Sequence, residues 1–176
     1  YYRVYDRYSP HNLMTSTEAL RSAAASQGGI PPALLNFRNS ESGPLSSGTP
    51  TSRLQIFYGG ITVDYQWNSI KAAWDRQQNS SPHLDSDLVQ VAPKNVIVQF
   101  VSYGESIAYP FTPEPRLLGR GEAWMLSSGK LVQGSWTRSS SQEATRYFDG
   151  NGAEVKLTPG KTWISLARTG TAVTYP

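Results

Sequence analysis

Asn95-Val96-Ile97-Val98-Gln99-Phe100-Val101 is the stretch that decides the fold. Seven residues, mostly β-branched or aromatic, form an apolar run too short for a buried helix, so the run is expected to be a strand covered on both faces. Immediately upstream, between Trp74 and Asn95, lies a polar segment with Arg76, His83, Asp85 and Asp87. A buried strand beside a concentration of titratable groups is where a site is expected.

Working outward, the rest of the chain supports a β-rich fold. Apolar residues make up 38% and charged residues 16%, with Gly 15, Pro 12 and Tyr 10. That composition suits many short strands joined by turns. Leu54 to Tyr58 and Ile61 to Trp67 flank Gly59-Gly60, a hairpin whose turn admits positive φ at both glycines. Ile70 to Gln77 follows as a strand with Ile70, Ala72, Trp74 and Arg76 on one face. From Gly119 the pattern is a meander: Gly121 to Leu126, Leu131 to Thr137, Thr145 to Phe148, Glu154 to Leu157 and Thr162 to Ala167, separated by turns such as Ser127-Ser128-Gly129-Lys130. Tyr109 to Arg116, with three prolines, is read as an irregular connection.

Near the N-terminus, Tyr1 to Tyr8 alternates with aromatic residues on both faces and is expected to be a strand covered on both sides. Thr15 and Glu18 have capping-box spacing, and Gln27-Gly28-Gly29 before Pro31-Pro32 supplies a stop, which predicts a helix over about 17–27. The stretch 38–53, rich in Ser, Gly, Pro and Thr, is expected to be an exposed loop. At 176 residues the chain is expected to form a single domain, 1–176. The fold class is α+β and β-dominant, an antiparallel sheet or partial barrel with the one helix packed on it.

Several function classes are excluded. Cysteine is absent, which rules out disulfides, thiolate nucleophiles and cysteine-ligated metals. The net charge of +3 arises from 16 Lys+Arg against 13 Asp+Glu with no run of one sign, so no nucleic-acid footprint is present. No apolar run reaches the roughly 18 residues of a membrane-spanning helix. The abundance of Ser, Thr, Asn and Gln, with Arg exceeding Lys, suits an exposed extracellular domain.

Six motifs occur in one order: Pro10-His11-Asn12-Leu13, His83-x-Asp85, Asn95-Val96-Ile97-Val98, Gly119-x-Gly121, Gly129-Lys130 with Gly134-x-Trp136, and Leu157-x-Pro159-Gly160-Lys161-Thr162-Trp163-Ile164. Together they resemble the C-terminal domain of the YerB-like lipoproteins of Gram-positive bacteria, a family of unknown function, over nearly the whole chain. The resemblance implies an extracytoplasmic protein of the cell envelope, exported and lipid-anchored, in which another domain precedes this one. Neither the lipobox cysteine nor that domain is in this sequence. It implies a location and no reaction.

His83 and Asp85, two apart in an extended segment, point to the same side, where a carboxylate orients an imidazole as an acid–base pair; alternatively Asp85 holds the turn after Pro82. His11 adds a third metal-type side chain, but the helix-borne His spacing that makes metal motifs specific is missing, and neither metal nor other cofactor is expected. Asn12 and Asn95 stand at element boundaries, where Asn commonly satisfies turn backbone. Arg76 and Arg138 each follow a tryptophan by two residues, so Trp74 and Trp136 are either stacking faces beside a carboxylate- or phosphate-binding fork or the rings on which those arginines lie. No serine elbow and no placed carboxylate pair are present. The expected function is therefore a non-catalytic envelope domain that binds a ligand or protein partner, such as a cell-wall component, through a polar cleft. Its candidate residues are His11, Asn12, Arg76, His83, Asp85, Asn95, Trp136 and Arg138. The alternatives are a cell-wall hydrolase using His83 and Asp85, and a structural self-assembly module.

Overall fold

The computed structural model of the chain describes residues 1–24, 29, 33–39, 48–107 and 111–176. Two compact units, Tyr1–Pro32 and Ala33–Pro176, make it up. In the first, β1 (Tyr2–Arg3) pairs antiparallel with β2 (Leu13–Met14) and is followed by helix α1 (Thr17–Ala23). Only two residues of the Tyr1–Tyr8 stretch are in a strand, and Tyr1, Tyr2, Tyr5 and Tyr8 are all exposed, so the covered strand expected there does not form. Alternation of aromatics demands a partner on each face, and none is supplied among the described residues.

The helix starts at Thr17, as expected, although its cap is not the Thr15 of the capping-box spacing. Ser16 is the N-cap, its Oγ accepting from the Ala19 N–H at 3.1 Å, and Glu18 lies in the first turn where its charge complements the helix dipole. Ala24 is the C-cap, and none of the helical residues is buried. Residues 25–27, the expected end of the helix, lie outside the described residues.

The second unit contains two main sheets. One is formed by β4 (Arg53–Phe57), β5 (Thr62–Asn68), β6 (Ala73–Gln78), β7 (Ser81–Pro82) and β15 (Ala172–Thr174), in the order β15-β4-β5-β6-β7, all antiparallel. The β4–β5 hairpin has the expected turn, but only Gly59 adopts positive φ, at 73°. Ile70 and Ala72 fall in the β5–β6 turn instead of on the strand, while Trp74 and Arg76 share its inward face. Trp67 and Trp74 are directly opposed across that hairpin, with ring centroids 5.1 Å apart.

The other sheet has the order β13-β12-β11-β8-β14, with β8 (Asn95–Val101), β11 (Gly119–Ser127), β12 (Lys130–Arg138), β13 (Arg146–Asp149) and β14 (Thr162–Arg168); β3 (Thr49–Pro50) adds to β12. A tight turn with positive φ at Ser128 and Gly129 joins β11 to β12. Every residue of β8 is buried, and Gln99, its one internal polar side chain, accepts from the Tyr147 hydroxyl at 2.8 Å. The meander is broken at its end. β14 runs parallel to β8, and Glu154 to Leu157 forms isolated bridges in place of a strand. A small hairpin, β9 (Tyr103–Glu105) with β10 (Pro113–Pro115), occupies part of the stretch expected to be irregular.

The two main sheets face each other across one core, in which Leu54, Ile56, Tyr65 and Trp74 meet Val96, Val98, Phe100 and Leu126. The alternate residues of β8, Ile97 and Val101, enter a second core with Met125, Val132, Trp136 and Tyr147 on the far face of its sheet. Two covered faces explain the unbroken apolar run. The architecture is thus β-dominant α+β with two facing sheets and no closed barrel. The 38–53 stretch is not wholly an exposed loop: Thr49 and Pro50 pair with β12, and Thr51 is buried. Residues 40–47 lie outside the described residues.

Candidate functional site

β6 carries Arg76 inward, next to Trp74, and the chain after β7 folds back beside it. The fold-back is fixed by backbone: the His83 N–H donates to the Arg76 carbonyl at 3.0 Å, the Val91 N–H to the His83 carbonyl at 2.8 Å, and the Arg76 N–H to the Val91 carbonyl at 2.9 Å. His83 is thereby held against Arg76, whose Nη1 donates to His83 Nδ1. An arginine cannot accept, so the imidazole is the neutral tautomer with its proton on Nε2. The Arg76 guanidinium lies 4.5 Å from the Trp163 ring and 5.9 Å from the Tyr65 ring, and Nε donates to the Tyr65 hydroxyl at 3.4 Å. His83 meets the same Trp163 edge-on, at 5.6 Å between centroids.

Arg76 is only 7% exposed, yet the ion pairs among the described residues, Arg53–Asp64, Lys71–Asp75 and Arg146–Glu154, leave it out. Its charge is met by aromatic faces and a neutral imidazole in place of a carboxylate. Burial, and after it the neighbouring Arg76 charge, push the His83 pKa below its ordinary value. Burial likewise raises the pKa of the Tyr65 hydroxyl, which hydrogen-bonds Ser165 at 3.2 Å.

Trp163 also lines a cleft of about 750 Å³, walled by the 89–94 segment, the start of β14 and the turn before β6. Lys71, Lys94 and Lys161 stand on it with Asp85, Val89 and Trp163. Lys71 is paired with Asp75 at 2.8 Å, whereas among the described residues Lys94 Nζ reaches the Lys71 carbonyl alone, at 3.2 Å. The single carboxylate in the wall is committed: Asp85 Oδ1 accepts from the Asp87 and Val89 N–H groups at 2.9 and 3.0 Å, fixing its own loop. Cationic side chains around an aromatic ring suit an anionic group attached to an apolar or planar body.

Of the residues singled out from sequence, Arg76 and His83 are in contact and Asp85 lies in the adjoining cleft wall. His83 takes Arg76 as its partner, and Asp85 serves backbone. Asn95 is fully buried behind the cleft, bonded to Thr158, Thr162 and Ser127. Trp136 is buried in the second core, its indole N–H donating to the Phe100 carbonyl at 2.9 Å. Arg138 holds the turn after β12 through the carbonyls of Ser140, Ser141 and Glu143. His11 and Asn12 belong to the first unit, where His11 is exposed and Asn12 Oδ1 accepts from Arg3 at 2.6 Å. The site residues missed from sequence are Lys71, Lys94, Lys161 and Trp163. The signal for two of them was in hand, since Lys161-Thr162-Trp163 is part of a quoted motif.

Residues 54–164 match the family described as "Protein of unknown function (DUF3048) C-terminal domain". The chain belongs to this family. The DUF3048 match contains Arg76, His83, Asp85 and the whole cleft, and leaves out His11 and Asn12. A crystal structure of the YerB protein from Bacillus subtilis is similar, with a TM-score of 0.70 and 18% identity over 98% of this chain and 59% of that one. The likeness establishes the fold, and this chain spans about three-fifths of that protein's length. No curated protein matches the chain. Among the described residues no helix is long and apolar enough to cross a membrane, and no cluster of three or more His, Asp or Glu side chains could hold a metal ion.

The His83 environment carries a pH prediction. With the folded-state pKa below the unfolded value near 6.5, the unfolded chain takes up the proton first. Stability is therefore full above about pH 6.5 and falls as the pH drops through that value towards the folded pKa. Urea midpoints measured between about pH 7 and 5.5 should decline in the wild type and flatten in His83→Gln; parallel declines would show that His83 is not the group responsible.

Proposed function

We propose that this DUF3048 C-terminal domain is a non-catalytic binding module of the cell envelope, taking an anionic group of a ligand or partner in the cleft beside Trp163. The observation that carries it is the cationic wall. Among the described residues Lys94 and Lys161 line the cleft without carboxylate partners, and the buried Arg76, stacked on the Trp163 ring, adds a charge that no ion pair among them neutralises. In a recess bounded by protein such charges act on a ligand more strongly than on an open surface.

A proton-transfer role for His83 and Asp85 is disfavoured by their bonding. The basic nitrogen of His83 is already occupied by Arg76, and Asp85 Oδ1 by two backbone N–H groups. An extracytoplasmic location goes with the proposal, supported by the Ser- and Thr-rich composition; labelling of the protein by an impermeant reagent on intact cells is the expected readout.

Calorimetric titration with tripolyphosphate tests the cleft. Binding is expected to weaken at least about tenfold in the Lys94→Glu/Lys161→Glu variant, as for the loss of charge-assisted contacts. Lys156→Glu/Arg120→Glu, the same charge change on exposed residues outside the cleft, should leave it nearly unchanged. Equal weakening in both would reduce the effect to net charge.

A further inference from the structure

The free edge of the second sheet gives the cleft a more specific occupant. Edge strands offer unpaired N–H and C=O groups to any extended chain, and folds commonly shorten, cover or interrupt them with proline. Most edges here are treated in that way. β7 and β3 are two residues long and contain Pro82 and Pro50, β15 has three residues, and β13 is covered by the returning 153–155 segment, where Val155 N–H donates to the Tyr147 carbonyl and Asp149 N–H to the Ala153 carbonyl. β14 is different: seven residues, no proline, paired only with β8 among the described residues.

Its open groups follow from the ladder. The Asn95 N–H donates to the Lys161 carbonyl at one end of the pairing and the Thr169 N–H to the Val101 carbonyl at the other. In a parallel pair, alternate residues turn both backbone groups to the same neighbour. Trp163, Ser165 and Ala167 therefore face β8, and Thr162, Ile164, Leu166 and Arg168 point away. The Leu166 carbonyl is taken by the Tyr103 hydroxyl at 2.9 Å, but the backbone of Thr162 and Ile164 has no partner among the described residues. Thr162 also lines the cleft, Ile164 is 43% exposed, Lys161 immediately precedes the strand, and Lys94, whose N–H donates to the Lys161 carbonyl, lines the same cleft.

We infer that the occupant is an extended, acidic segment of a partner polypeptide that adds to β14 at Thr162 and Ile164, its carboxylates meeting Lys94 and Lys161. This rests on the cleft reading above and deepens it. Backbone pairing supplies affinity for any extended chain, and the lysines supply the preference for acidic ones.

Two modifications, one in the partner and one in this chain, separate the edge from the charge. The probe is a short peptide of alternating Glu and Val, titrated into the full chain alongside tripolyphosphate. N-methylation of alternate peptide residues, which removes ladder donors and keeps every charge, is expected to weaken the peptide at least about tenfold. Ile164→Pro, which removes an outward donor and leaves the β8 ladder intact, should do the same to the peptide and leave tripolyphosphate binding unchanged, with circular dichroism confirming the fold. Equal affinity of the methylated and unmethylated peptides overturns the edge and keeps the cleft. Failure of the peptide while tripolyphosphate binds does likewise, and failure of both removes the cleft reading as well. A dimer in sedimentation that Ile164→Pro dissolves would assign the edge to a second copy of this chain and also overturn the inference.

Discussion

Asn95→Ala is expected to destabilise the protein by about 4 kcal/mol, the range reached when several buried partners are orphaned together. Asn95 is fully buried at the entry to β8. Its Nδ2 donates to the Thr158 carbonyl at 2.8 Å and the Thr162 hydroxyl at 3.1 Å, while Oδ1 accepts from the Ser127 hydroxyl at 2.7 Å and the Thr158 N–H at 3.0 Å. One side chain thus ties the central strand to the end of β11 and to the loop that launches β14. Alanine leaves the Thr158 carbonyl desolvated and gives the Thr158 N–H only the more distant Ser127 Oγ, at 3.4 Å, as an acceptor among the described residues. Ser127→Ala, which leaves the Thr158 contacts of Asn95 in place, should cost less, about 1–2 kcal/mol. Urea unfolding at constant m-value is the measurement; a loss under about 1 kcal/mol for Asn95→Ala would show that water or rearrangement replaces the node.

Gly134→Ala is expected to cost more than about 3 kcal/mol, by overpacking against backbone. Gly134 sits mid-β12, opposite Ala123 on one side and Asp149 on the other. A Cβ there would lie 1.9 Å from the Phe148 carbonyl oxygen and 3.0 Å from the Asp149 Cα. No rotamer change relieves contact with main-chain atoms, so β13 must separate from β12 or the pair must shift. Thermal unfolding should fall steeply, and amide exchange along β13 should accelerate most. A near-wild-type melting temperature would mean that the β12–β13 spacing is looser than described.

β8 was legible in the sequence because a strand buried on both faces must be apolar throughout, and the β5–β6 hairpin because tryptophans bracket its turn. The parallel placement of β14 was not, since periodicity identifies a strand without naming its neighbour. The Tyr1–Tyr8 alternation misled for a related reason: coverage is a tertiary fact, and those tyrosines stay exposed. In the site, Arg76 and His83 stood out as polar residues near a buried strand. Their link to each other comes from the fold-back after β7. The chain is extended over His83 to Asp85, where Leu84 bridges Gln90, and turns afterwards at Leu88, with φ at 61°; Asp85 caps that turn and His83 takes Arg76, pairings that spacing alone does not disclose. Lys71, Lys94 and Trp163 are far apart in sequence and meet only because β14 lies against β8.

That parallel pairing also fixes an order of events. Asn95 and Thr162, neighbours across the β8–β14 ladder, are 67 residues apart, and no hairpin can bring them together. During synthesis β8 can acquire β11 soon after it emerges, but its other flank stays bare until residues beyond 162 have been made. For that interval the most apolar strand of the chain is an open template. The nascent protein is then most vulnerable to pairing with another copy, and chaperone demand should peak there.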